Sequence, residues 1–132
     1  MEIGERLPER TFRVTRADLI RYAGASGDFN PIHWSDRIAT SVGLPGVIAH
    51  GMYTMALAGR AIADWAGDPG AVVEFGVRFT KPVLVPDDDE GVEVTVAGVV
   101  KGRTEDGYTQ IDVTTTCNGE KVLGQARALV RV

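Results

Sequence analysis

The chain has two imidazoles, His33 and His50, and both sit where regular structure is interrupted. His33 closes the run Ser26-Gly27-Asp28-Phe29-Asn30-Pro31-Ile32-His33, which places a carboxylate, an amide and an imidazole within six positions. Pro31 pushes Asn30 out of the α region, so the segment is a turn. Burying such groups costs several kcal/mol unless they are paired or used. A carboxylate and an imidazole flanking one substrate atom form a minimal acid–base pair. A carboxyl acting as the acid must be held protonated above its reference pKa of about 3.9, whereas an imidazole titrates near 6.5 unaided. Asp28 and Asn30 could equally hold the turn through Asx-type backbone bonds, and the pattern alone leaves both readings open.

The second feature is Ala49-His50-Gly51-Met52, at the expected start of a long helix. Free N–H groups there lie at the positive end of the helix dipole. Gly51, without a side chain, lets a carbonyl oxygen approach its N–H, as stabilising an enolate-like oxygen requires; it would also permit ordinary tight packing. His50 is expected to support this loop by packing or hydrogen bonding. Two histidines 17 positions apart, Asp28 and the single Cys117 form no recognised zinc spacing, so no metal is expected. Cys117 reads as a small hydrophobe of the core or an interface. No GxGxxG, phosphate loop or GxSxG elbow occurs, and Gly24-Ala25-Ser26-Gly27-Asp28 resembles the last only superficially. Asp87-Asp88-Asp89-Glu90 reads as a solvated connection.

Several elements must position these groups. Thr15 with Asp18 predicts a capped helix over Leu19–Ala23, with Gly24 as its terminator. Ser35 predicts a cap for a short helical turn through Ile38 and Ala39. From Ala49 to Trp65 the spacing predicts a helix buried on most sides, with Met52 and Met55 in the core, ended by Gly67-Asp68-Pro69-Gly70. After residue 70 the period becomes two. Strands are expected over Ala71–Thr80, with Val83–Val85 as a candidate continuation past Pro82, then over Val92–Lys101, Tyr108–Cys117 and Glu120–Val130. Asn118-Gly119 forms the last hairpin. A helical front half followed by a four-strand meander predicts an α+β fold, an antiparallel sheet wrapped around the long central helix as in a hot dog fold. An uncovered sheet edge predicts a dimer.

The 132 residues fit a single domain spanning 1–132, with 44% apolar and 24% charged residues, which argues against disorder. A net charge of −4 with no Lys/Arg cluster argues against nucleic acid. One cysteine excludes an intramolecular disulfide and fits a reducing compartment. The 22 residues from Ile38 to Gly59 carry no Asp, Glu, Lys or Arg, but Gly43, Pro45, Gly46 and His50 interrupt them, so no membrane span is expected. The N-terminal run Met1–Phe12 is charged at once and has no apolar stretch, so no signal peptide and a cytoplasmic protein are expected.

Tyr22-Ala23 with Ser26–His33, and Ala49-His50-Gly51-Met52 after it, resemble the two motifs of the MaoC-like dehydratases, with similarity continuing through Phe75–Val85. Within that family the chain is similar to the catalytic B subunits of mycobacterial (3R)-hydroxyacyl-ACP dehydratases. The resemblance implies reversible dehydration of a (3R)-3-hydroxyacyl thioester, carried on coenzyme A or acyl carrier protein, to the trans-2-enoyl thioester. It implies Asp28 and His33 as the catalytic pair, with His33 handling the C2 proton and Asp28 the leaving hydroxyl. Asn30 and Gly51 would bind substrate, Gly51 through its N–H, while His50 and Pro31 support the site. No cofactor is implied, since CoA or phosphopantetheine belongs to the substrate. The implied partner is a second hot dog subunit, identical or not. Two departures are visible: Ala56 stands where some relatives carry a serine, and Pro86-Asp87 where many read Gly-Asp. The competing functions are thioester hydrolysis, which would want a carboxylate on the central helix nearer its start than Asp64, and a non-catalytic acyl- or carrier-binding subunit, which would not need Asp28 and His33 together.

Overall fold

The first element is one the hydrophobic pattern conceals: strand β1, Arg6–Val14, in a computed structural model that describes residues 1–132. It pairs antiparallel with β3, Val92–Arg103, from Arg6 opposite Val99 to Val14 opposite Val92. The register slips between Leu7 and Arg10, where Pro8 cannot donate to a ladder, a position tolerated on an edge strand. The front half is therefore not wholly helical.

Helix α1, Arg16–Ser26, starts with the expected capping box: Asp18 N–H donates to Thr15 Oγ1 and Thr15 N–H to Asp18 Oδ2. It runs through Gly24 and stops at Gly27, whose φ of 79° is the left-handed conformation that ends helices at glycine. Helix α2, Asp36–Ser41, begins at Ser35, whose Oγ accepts from the Ile38 N–H. Helix α3, Gly51–Ala66, ends at Gly67 as expected, but it is less enclosed than its composition implies. Thr54, Ala58, Ala61 and Ile62 are buried, while Met52, Ala56, Arg60 and Asp64, spaced every fourth residue, form an outward stripe. Met52 belongs to that stripe rather than to the core.

Strand β2, Val72–Phe79, lies beyond β5, Glu120–Val130, and β4, Thr109–Cys117, sits between β3 and β5. The order β1-β3-β4-β5-β2 is thus a three-strand meander flanked by two earlier strands, all antiparallel. Ile111, Val113, Thr115 and Cys117 face inward, and Lys121, Gln125 and Arg127 face water, as their alternation predicts. Register shifts at Val72/Glu74 and Gly76/Arg78 break the alternation in β2, leaving Val73 and Phe79 exposed. Val83–Val85 adds no strand. It is an apolar run that hydrogen-bonds to the loop before α3, Ala49 N–H to Val83 O (2.9 Å) and Val85 N–H to Val47 O (3.0 Å).

The sheet curls around α3, the hot dog arrangement, and one cluster of 22 buried residues fills the space between them. Helix and sheet fit tightly at Gly98 of β3, where an added methyl would come within 2.7 Å of the Trp65 ring. No helix is long and apolar enough to cross a membrane.

Candidate functional site

The Asx-turn reading of the Asp28 segment is visible in its hydrogen bonds. Asp28 Oδ1 accepts from the Asn30 N–H (3.1 Å) and Asn30 Oδ1 from the Ile32 N–H (3.2 Å), so successive Asx bonds fix the chain. They lead into a single 3-10 turn, Pro31–His33, with Pro31 at its first position, where its missing N–H is harmless. The turn sends His33 inward to 7% exposure and leaves Asp28 Oδ2 facing His33 Nε2 across 3.9 Å, with the Asp28 side chain half exposed.

Backbone carbonyls orient both rings. His33 Nδ1 lies 2.8 Å from Ile48 O; a carbonyl only accepts, so Nδ1 donates to it, which leaves Nε2 directed toward Asp28. His50 Nε2 lies 3.1 Å from Asp28 O by the same logic, and its buried Nδ1 has no hydrogen-bond partner. The two rings stack at 3.8 Å and 22°, and Tyr22 meets His50 edge-on at 4.7 Å. Burial lowers the His50 pKa below the usual histidine value, partly opposed by its bond to the Asp28 carbonyl. His50 thus ties the head of α3 to the Asp28 backbone, and its burial favours the neutral ring.

Gly51 is the first residue of α3, and the ladder begins only with Tyr53 N–H to His50 O (3.0 Å). The Gly51 and Met52 N–H groups precede it and have no intrahelical partner. Two cavities of about 370 Å³ meet there. One is apolar and lined by His33, Leu44, Ile48, Thr54, Val83 and Leu123. The other is lined by Tyr22, Ser26, Asp28, His50 and Met52. Gly51 and Phe79 border both. Asn30 and Pro31 line neither cavity; the Asn30 side chain caps the 3-10 turn that Pro31 begins.

His50, expected to support this loop, joins the pair directly: ligating atoms of Asp28, His33 and His50 lie within 4.8 Å of one another. Because the imidazoles are stacked, a cation at bonding distance from both would lie well out of the plane of one ring. The arrangement suits proton transfer better than coordination.

Other contributors were not legible in the chain. Ile48 acts through its carbonyl, which no residue type announces. Arg16 donates to Val85 O (2.7 Å) and to Asp36 Oδ1 (2.8 Å), while Asp36 Oδ1 accepts from the Val47 N–H (3.0 Å). This clamp joins α1, α2 and the segments around residues 47 and 85, which carry the Ile48 carbonyl. The Arg16 hydrogen bond is the chief reason the Asp36 carboxyl lies below its ordinary range.

A family model described as a MaoC like domain matches residues 2–118. The chain is 41% identical over 103 residues to 3-hydroxyacyl-thioester dehydratase X of Mycobacterium tuberculosis, a match covering 72% of this chain and 36% of that protein. It is 32% identical over 121 residues to 3-hydroxybutyryl-CoA dehydratase of Methylorubrum extorquens, covering 90% of this chain and 73% of that one. A solved structure of a MaoC-like dehydratase superposes with a TM-score of 0.94 at 41% identity, over 99% of this chain and 40% of the other. The chain thus spans well under half the length of the mycobacterial relative and of that solved chain.

Proposed function

The chain belongs to the MaoC-like dehydratase family, and on that premise we propose that it reversibly dehydrates (3R)-3-hydroxyacyl thioesters of CoA or acyl carrier protein to trans-2-enoyl thioesters. The observation that carries this reading is His33 Nε2 facing Asp28 Oδ2 across 3.9 Å beside the head of α3. In the dehydration direction His33 Nε2 takes the C2 proton. Protonated Asp28 gives its proton to the C3 hydroxyl, which leaves as water, and the electrons of the C2–H bond become the new double bond. The Gly51 N–H and the positive end of α3 receive charge developing on the thioester oxygen. A proton passing from the imidazolium to the carboxylate then resets the pair, and hydration is the reverse. The carbonyl is polarised by the chain's own groups, and the CoA or phosphopantetheine arm enters as part of the substrate.

Ala56 lies on the outward stripe of α3, so the hydroxyl some relatives place there has no counterpart in this mechanism. A second hot dog subunit, identical or not, is the proposed partner. The outer edge of β2 is unpaired and carries exposed Val73 and Phe79. The accessible surface of 7400 Å² also exceeds the roughly 6,700 Å² expected of a compact monomer this size. Hydrolysis is disfavoured because Asp64, the helix carboxylate, points outward and is bonded to Arg10.

The test follows loss of the conjugated enoyl absorbance with trans-2-butenoyl-CoA and trans-2-dodecenoyl-CoA, with chiral analysis of the product. The (3R)-hydroxyacyl product is expected; release of free CoA without hydration would overturn the reading in favour of a hydrolase.

A further inference from the structure

Resting on the dehydratase reading, we propose that Phe79 is the specificity-determining wall of the site and excludes acyl thioesters branched at C2. The side-chain space that Gly51 leaves empty is filled by this ring: a Cβ at Gly51 would lie 3.0, 3.1 and 3.3 Å from Phe79 Cε1, Cδ1 and Cζ. The ring and Gly51 are the groups that border both cavities, while His33 borders only the apolar one and Asp28 only the other. Phe79 therefore stands at the junction that a substrate reached by both members of the pair must cross.

The substrate atoms next to that junction follow from the chemistry. A carbonyl oxygen on the Gly51 N–H puts C1 beside the ring, and C2 must lie within reach of His33 Nε2. A linear acyl chain presents only hydrogen at C2 and runs on into the apolar cavity. A methyl at C2 requires space next to Gly51, where the phenyl ring sits. Phe79 reaches this position because the register slip between Gly76 and Arg78 turns the end of β2 out of the sheet's alternation, and its outer face is open at 56% exposure. The contact with Gly51 is thus the packing that meets its inner face, and it gives a glycine at 51 a reason independent of carbonyl approach.

The experiment compares kcat/KM for trans-2-methyl-2-butenoyl-CoA and trans-2-butenoyl-CoA in the wild type, F79A, G51A and the G51A/F79A double variant. One methyl group in a shaped pocket is worth about 10- to 200-fold in discrimination. F79A is therefore expected to raise the branched-to-linear ratio at least about tenfold. G51A is expected to lower activity on the linear substrate by driving its methyl into the ring, and F79A in that background to recover most of the loss. A branched-to-linear ratio unchanged in F79A, or a double variant no better than G51A, would overturn the proposal. Failure of the wild type to hydrate either thioester would instead remove the dehydratase reading on which it rests.

Discussion

Protonating His50 should cost stability in a defined pH window. Its ring is 2% exposed and stacked on His33, and its Nε2–H is committed to the Asp28 carbonyl. Burial lowers its folded-state pKa below the ordinary 6.5. Between that lowered value and 6.5 the unfolded chain binds the proton and the folded chain does not, so stability rises with pH across this window. The contribution is complete above about pH 6.5 and is lost as pH falls toward the folded value. One proton limits the slope to about 1.4 kcal/mol per pH unit. His50→Gln keeps an N–H donor for Asp28 O and removes the titration. Urea unfolding followed by Trp34 and Trp65 fluorescence, from pH 7.5 to 5, gives the two curves. The wild type should lose stability more steeply than H50Q below pH 6.5, by up to that limit, and run parallel to it above pH 7. Parallel curves throughout would refute the argument that His50 is held neutral by burial.

Three further outcomes follow from the packing. Asp36 is held below 3.8 chiefly by its hydrogen bond to Arg16, so its contribution is present above about pH 4 and lost as pH falls through the lowered value; D36N should flatten the acid limb below pH 4 in the same unfolding series. Arg16→Met should cut kcat for enoyl-thioester hydration by at least about tenfold, because releasing the clamp lets the Ile48 carbonyl and His33 drift; unchanged kcat would show that the clamp does not position the pair. Gly98→Ala should destabilise by about 1–3 kcal/mol through overpacking against Trp65, and should weaken the bond from Trp65 Nε1 to Pro8 O (2.7 Å), which shifts indole fluorescence.

Much of the fold was legible wherever local chemistry decides local structure. The Thr15/Asp18 box, the Ser35 cap, the Gly67 stop and the Asn118-Gly119 hairpin each appear as their residues predict. The misreadings arose where tertiary packing decides. Gly24 could end a helix, but Gly27 is the glycine that adopts positive φ. Arg6–Val14 hides a strand because an edge tolerates Pro8 and charge on its open side. Val83 and Val85 are apolar because they are buried against the loop before α3, which no periodicity in their own run records. The site follows the same division. The Asp28–His33 turn is written in its residue types, whereas the stacking of His33 on His50 and the ring of Phe79 on Gly51 join segments far apart in sequence.

The central claim is that Asp28 and His33 act as one proton-transfer pair. The most direct test measures hydration of trans-2-butenoyl-CoA by wild type, Asp28→Asn and His33→Ala, with circular dichroism to confirm that each variant is folded. A positioned acid or base contributes about 10²- to 10⁴-fold. Each variant is therefore expected to lose at least about a hundredfold in kcat while the wild type forms the (3R)-hydroxy product. A folded variant of either residue that retains wild-type kcat would contradict the account.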